Sequence, residues 1–109
     1  MSTDDRIRLL HMLDAAQEAV LFAQGRSRAD LDSDRKLVLA LVKGIEIVGE
    51  AASQISESTR HQWPAIPWVD IIGMRNRLVH AYFDINLDIL WQTIQHDLPP
   101  LIAELSQGL

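Results

Sequence analysis

The chain reads as an all-α protein, an antiparallel helical bundle of about four main helices, and three observations predict it. Apolar residues recur at alternating steps of three and four through most of the sequence. No segment alternates apolar and polar residues in the manner of a half-buried strand, and no Asn-Gly or Asp-Gly pair marks a hairpin. Neither an internal repeat nor a low-complexity tract divides the chain, so residues 1–109 are expected to form a single domain around one core.

In the first predicted helix, residues 4–24, Leu9, Leu13, Ala16, Val20 and Ala23 mark the apolar face, Ser2 through Asp5 resembles a capping box, and Gly25 provides the stop. A connection rich in Arg, Ser and Asp follows, and its Asp32-Ser33-Asp34 cluster supplies a cap and negative charge for the next N-terminus. Val38, Leu41, Ile45, Val48, Ala52 and Ile55 stripe the second helix, leaving Lys43, Glu46, Glu50 and Gln54 together on the opposite side. Gly44 and Gly49 within it each cost roughly 1 kcal/mol relative to Ala, which predicts that another backbone approaches closely there. From Ser56 to Pro67 the period fails; Trp63-Pro64-Ala65-Ile66-Pro67 reads as a loop whose last proline opens a third helix. Asp84-Ile85-Asn86 breaks the chain again and caps a fourth helix marked by Leu87, Leu90, Trp91, Ile94, Leu98, Leu101, Ile102 and Leu105, bent or interrupted at Pro99-Pro100.

Composition narrows the setting. With 48% hydrophobic and 23% charged residues the chain has the balance of a folded globular protein. No apolar run approaches the roughly 18 residues that span a bilayer, and the first five residues are acidic where a signal peptide would be basic; a soluble, cytoplasmic protein without membrane contact is expected. The absence of cysteine removes thiol catalysis and thiolate metal sites, and His11, His61 and His96 lack ligand spacing and are expected at the surface, so neither a metal nor a cofactor is expected. A formal net charge of −5 excludes a broad basic face for nucleic acid and leaves room only for a small, focused contact.

That contact is expected in the third helix, where Arg75-Asn76-Arg77-Leu78-Val79-His80-Ala81-Tyr82 brings a guanidinium, an imidazole and a phenol into eight residues. An arginine clamps a phosphate bidentately without losing its charge, and a histidine moves protons near neutral pH; together they suggest work on a phosphodiester. On an unbroken helix Arg75 and His80 would stand roughly 140° apart, whereas Asn76 and His80 would share a face. Either the helix distorts near His80, or two copies of it meet and build a composite cleft.

The pattern of an arginine followed by Asn, then a histidine and a tyrosine two residues on, resembles the HEPN-domain proteins of the HepT type. The resemblance extends through Gly49-Glu50, the Trp63-Pro64 and Pro67-Trp68 loop, and the stretch from Leu90-Trp91 to Asp97-Leu98-Pro99, essentially the whole chain. It implies a homodimeric, metal-independent ribonuclease toxin encoded beside a minimal nucleotidyltransferase antitoxin of the MntA type. By the same resemblance Arg75 and His80 carry RNA cleavage, Asn76 supports them, and Tyr82 receives the AMP that silences the toxin.

Chemistry agrees with that assignment. Cleaving RNA without a metal uses the ribose 2′-hydroxyl as nucleophile, so the protein supplies a proton acceptor, a proton donor and stabilisation of the phosphorane; His80 fits the first two roles and Arg75 the third. One histidine per chain cannot be base and acid at once, and a dimer brings two. Arg77 and Lys43 are candidates to guide phosphate, and Glu46 and Glu50 to orient Arg75. The bland alternative makes His80 a satisfied core residue and Arg75 half of a structural bridge to Glu46 or Glu50, with Trp63, Trp68 and Trp91 as packing anchors. Two other functions stay open: a catalytically inactive nucleotide-binding or accessory dimer that partners a nucleotidyltransferase, and a pure interaction module.

Overall fold

The computed structural model describes residues 1–81 and 84–109. Helix α1 spans Thr3–Ala23, and the Ser2 hydroxyl caps it by accepting from the Asp5 amide at 3.0 Å. Gly25, at φ 75°, follows as the left-handed residue that ends it, as expected. A single turn, α2 (Asp30–Ser33), precedes α3 (Arg35–Ser53), which Asp34 caps through the Leu37 amide at 3.1 Å. The segment from Ser56 is not all loop: Ser56 caps a further turn, α4 (Glu57–Arg60). Its Arg60 reaches back to the Ala52 carbonyl at 3.2 Å, satisfying an acceptor at the end of α3.

Helix α5 covers Trp68–Leu78, and Pro67 is its cap rather than its first residue. It is shorter than the motif requires, so His80 is not helical. Instead Val79–Ala81 forms a strand, β1, paired antiparallel with β2 (Asp84–Ile85), a hairpin that the periodicity did not predict. The Leu78 carbonyl accepts from the Asn86 amide at 2.7 Å, a bond that takes the acceptor a continuing helix would use. Asn86 then caps α6 (Leu87–Gln92) through the Ile89 amide at 3.0 Å. The fourth predicted helix is divided: a π-helical turn over Thr93–Asp97 separates α6 from α7 (Leu98–Gly108). In that turn the Leu98 amide donates to the Thr93 carbonyl, five residues back, and Pro99 and Pro100 enter α7 where the missing amide donors cost least.

The principal packing is α1 on α3, α3 on α5 and α1 on α7, an all-α bundle as predicted. Leu9, Met12, Leu41, Ile45, Met74, Leu78, Leu90, Ile94, Leu98 and Leu105 are fully buried in the core. Both glycines of α3 sit at close crossings. A Cβ on Gly44 would lie 3.1 Å from that of Ala19 in α1, and one on Gly49 would lie 3.3 Å from the Ile72 carbonyl oxygen in α5. The tryptophans act as anchors: Trp63 is buried, and Trp68 donates Nε1–H to the Arg60 and Trp63 carbonyls, each at 3.2 Å.

Asp5, read in the sequence as the far end of a capping box, is a buried carboxylate. Rather than closing a reciprocal capping box, it accepts from the Ser56 hydroxyl at 2.6 Å and the Thr59 hydroxyl at 2.8 Å, tying α1 to α4. These bonds, helped by Arg8, hold its carboxyl below the usual carboxylate value despite the opposing cost of burial. Because the folded-state pKa is the lower one, this contribution to stability is complete above the unfolded value and is lost as pH falls through the folded one. Asp5→Asn is therefore expected to flatten the acid limb of a thermal-melt series taken between neutral pH and pH ~2; an acid limb as steep as the wild type's would show that the Asp5 carboxylate does not carry it.

Candidate active site

Three helices build a groove of about 720 Å³: α3 forms the floor, with α1 and α5 as walls. Arg75 and Asn76 project from α5, Lys43, Glu46 and Glu50 from α3, and Arg8 and His11 from α1. The phases of α3 and α5 explain why the first five meet. Val48 and Ala52 turn into the core, so Lys43, Glu46 and Glu50 lie on the outer side of α3, and the Gly49 crossing brings the α5 backbone close enough for Arg75 to reach them.

The Arg75 Nε lies 3.5 Å from Glu46 Oε1, and its Nη1 donates to Asn76 Oδ1 at 3.5 Å. Lys43 Nζ stands 3.9 Å from the same glutamate. The Arg75 and Glu46 side chains are 45% and 38% exposed, so their ion pair is solvent-screened and contributes at most about 1 kcal/mol to folding. Its consequence is positional: Glu46 holds one edge of the guanidinium, and the remaining N–H donors suffice for a phosphate. The expected pairing of Arg75 with Glu46 or Glu50 is thus present with Glu46, in a place where it can also orient Arg75 for a ligand.

His80 stands apart from this groove. Val79 pairs with Ile85 and Ala81 with Asp84, so two steps on β1 face one step on β2, and His80 is the extra residue of a β-bulge. A bulge bends its strand and re-aims the side chain it carries. His80 is exposed, not a core histidine, and the helical face it was expected to share with Asn76 does not exist because α5 has already ended. Asn76 Oδ1 instead accepts from Arg75. The helix does distort near His80, by passing into a strand, but this distortion leaves His80 outside the groove that holds Arg75 and does not bring the two side chains together within one chain.

Arg77 is also separated from Arg75. It pairs with Asp70 through the backbone carbonyl at 3.2 Å and the carboxylate at 3.7 Å, and it borders a smaller cavity of about 280 Å³ near His96 and Glu104. Tyr82 lies outside the described residues. His11 and Arg8 were missed as members of the groove; three apart on α1, they flank its apolar stripe, and only the packing of α1 on α3 reveals which flank borders Arg75. Among the described residues no group of His, Asp or Glu side chains is placed to hold a metal ion, and no helix is long and apolar enough to cross a membrane.

A helical bundle whose last-turn arginine faces a charged groove, with a histidine mounted just beyond the helix, is consistent with a HEPN-like domain. The chain belongs to the HepT-like ribonuclease family: the model described as "Ribonuclease HepT-like" matches residues 12–107. Among curated proteins it is 34% identical over 101 residues to "Putative RNase TTE0752" of Caldanaerobacter subterraneus subsp. tengcongensis, covering 93% of this chain and 90% of that protein. It is 38% identical over 72 residues to "Probable ribonuclease HepT" of Thermococcus cleftensis, 66% of each chain, and 29% identical over 101 residues to "Putative RNase MJ1380" of Methanocaldococcus jannaschii, 93% of each. No solved structure matches it. The resemblance read from the motif and its flanking landmarks is borne out at the level of the family.

Proposed function

We propose that this protein is a metal-independent endoribonuclease toxin of a toxin–antitoxin pair, acting on tRNA or mRNA in the cytoplasm as one helical domain in a homodimer. The observation that carries the reading is the Arg75 guanidinium, paired on one edge with Glu46 and opening on a groove of about 720 Å³, in a member of a ribonuclease family. Arg75 neutralises the scissile phosphate and the charge that grows on the phosphorane, with Asn76 steadying it. His80 takes the proton of the ribose 2′-hydroxyl as that oxygen bonds to phosphorus. The P–O5′ bond breaks, the 5′-oxygen acquires a proton, and the products are a 2′,3′-cyclic phosphate and a free 5′-hydroxyl. Because His80 lies on the bulge outside its own chain's groove, a dimer that presents His80 of one copy to the groove of the other would complete the site.

The test is cleavage of a total tRNA and mRNA mixture by the purified protein in excess chelator, with product ends mapped. Cutting that persists in chelator and leaves 2′,3′-cyclic ends, or the monophosphates formed on their hydrolysis, is expected; intact RNA from a folded, unmodified protein overturns the proposal. In that event the second reading, a nucleotide-binding accessory dimer of a nucleotidyltransferase, takes precedence, since the Arg75–Glu46 pair also suits a structural bridge.

Silencing rests on Tyr82, two residues beyond His80. AMP on its oxygen would add a bulky nucleotide and a negative phosphate two residues from His80 in sequence, a charge able to compete with RNA for the Arg75 guanidinium and to repel RNA. A phenol with an ordinary pKa of about 10 needs an enzyme to activate it, so the cognate nucleotidyltransferase antitoxin acts in trans. Tyr82→Phe is expected to keep ribonuclease activity and lose antitoxin-dependent labelling with radioactive ATP; labelling at unchanged stoichiometry would show that the acceptor lies elsewhere.

A further inference from the structure

RNA cleavage through the 2′-hydroxyl needs two proton transfers, and the groove that holds Arg75 has an imidazole of its own, while His80 of the same chain stands outside it. His11 lines the α1 wall, and Arg75 and Asn76 line the α5 wall, with the outer side of α3 between them. It is exposed, and among the described residues no hydrogen bond or ion pair ties its ring down, so the ring is at liberty to engage a ligand in the groove. A histidine engaged in structure would be buried or bonded to a neighbouring element, as Asp5 is on the same helix. The charged groups that share the groove are Arg8 from α1, Lys43, Glu46 and Glu50 from α3, and Arg75 from α5. Glu46 is engaged by Arg75 and Lys43, and Glu50 lines the same groove from the outer side of α3.

We infer that His11 is the general acid of the reaction, protonating the 5′-oxygen as it leaves phosphorus while His80 accepts the 2′-hydroxyl proton. The inference rests on the ribonuclease reading above. The proton balance closes without a further reactant: one proton passes from the 2′-oxygen to His80, one passes from His11 to the 5′-oxygen, the 2′-O–P bond forms and the P–O5′ bond breaks. The two histidines differ in what they see. His80 acts at the nucleophile and His11 at the leaving group, so a substrate whose leaving group needs no proton separates them.

The experiment compares the wild type, His11→Gln and His80→Ala on two substrates, a single-stranded RNA and uridine 3′-(4-nitrophenyl phosphate), whose nitrophenolate departs without protonation. Glutamine favours helix and replaces an exposed side chain, and unchanged circular dichroism and melting temperature verify the fold. Loss of about 10²-fold or more on RNA by His11→Gln, with the nitrophenyl ester cut within about threefold of the wild-type rate, is the expected result. Equal losses on both substrates would make His11 a binding or structural residue, and full activity on both would remove it from the reaction; either overturns the inference while the ribonuclease reading stands. A wild type that cuts neither substrate overturns both together.

Discussion

Replacing His80 with alanine is expected to reduce RNA cleavage by about 10²–10⁴-fold, the usual worth of a positioned proton-transfer group, with no loss of stability. The second half of that expectation follows from the bulge. His80 is an exposed extra residue between two paired positions, so its side chain contributes nothing to the core that Leu78 and Leu90 fill on either side of the hairpin. Arg75→Ala should also remove activity, because a groove that has lost its guanidinium cannot offset the phosphorane charge. Its exposed pair with Glu46 makes the stability cost small. Arg75→Lys separates the roles: charge is kept, the planar fork is lost, and partial activity with a weakened grip on RNA is expected. Single-turnover kinetics at saturating RNA, beside urea unfolding of each variant, checks both halves. An inactive but destabilised His80→Ala would point to a structural histidine.

The second large effect belongs to Gly49, a residue with no chemistry of its own. Valine there would drive two methyl groups into the Ile71 and Ile72 carbonyls of α5, which already lie at the limit of ordinary contact with a bare Cβ. Overpacking of that kind costs about 1–3 kcal/mol. Since the intruded backbone belongs to the turn just before Arg75, α5 must shift away from α3 and the Arg75–Glu46 geometry must change with it. Gly49→Val is therefore expected to lose both stability and RNA cleavage, whereas Ile45→Val, one methyl smaller in the core, costs about 0.5–1.5 kcal/mol and leaves cleavage intact. Equal cleavage by the two variants at matched stability would show that the α3–α5 crossing does not set the site.

The contrast between these two residues shows what the linear chain discloses. Gly44 and Gly49 announce close crossings because a glycine inside a strongly periodic helix needs a compensation, and both crossings are present. The stripes of α1 and α3 and the caps at Ser2, Asp34 and Asn86 are legible for the same reason: they depend on neighbours three or four residues away. The end of α5 is not. Val79-His80-Ala81 is too short to display an alternating pattern, its partner Asp84-Ile85 is shorter still, and a bulge erases the period of two that remains. The membership of His11 in the groove is equally invisible, because it depends on α3 placing α1 beside α5, a relation between residues more than sixty apart. Arg75, Asn76, Lys43, Glu46 and Glu50 could be nominated from local features, and they share one groove; Arg77, nominated with them, faces another cavity.

The wide turn at Thr93–Asp97 bears on how such a chain can change over time. A π-helical turn carries one residue more than a regular helix would need to join the same two faces, and here it lies directly before Pro99 and Pro100, whose rings would press on the carbonyls of Gln95 and His96 in an ordinary helix. Deleting the surplus residue alone would bring back that collision, and replacing the prolines alone would leave an idle widening. The widening thus accommodates the prolines, and a straight helix at this position requires that the prolines go no later than the surplus residue.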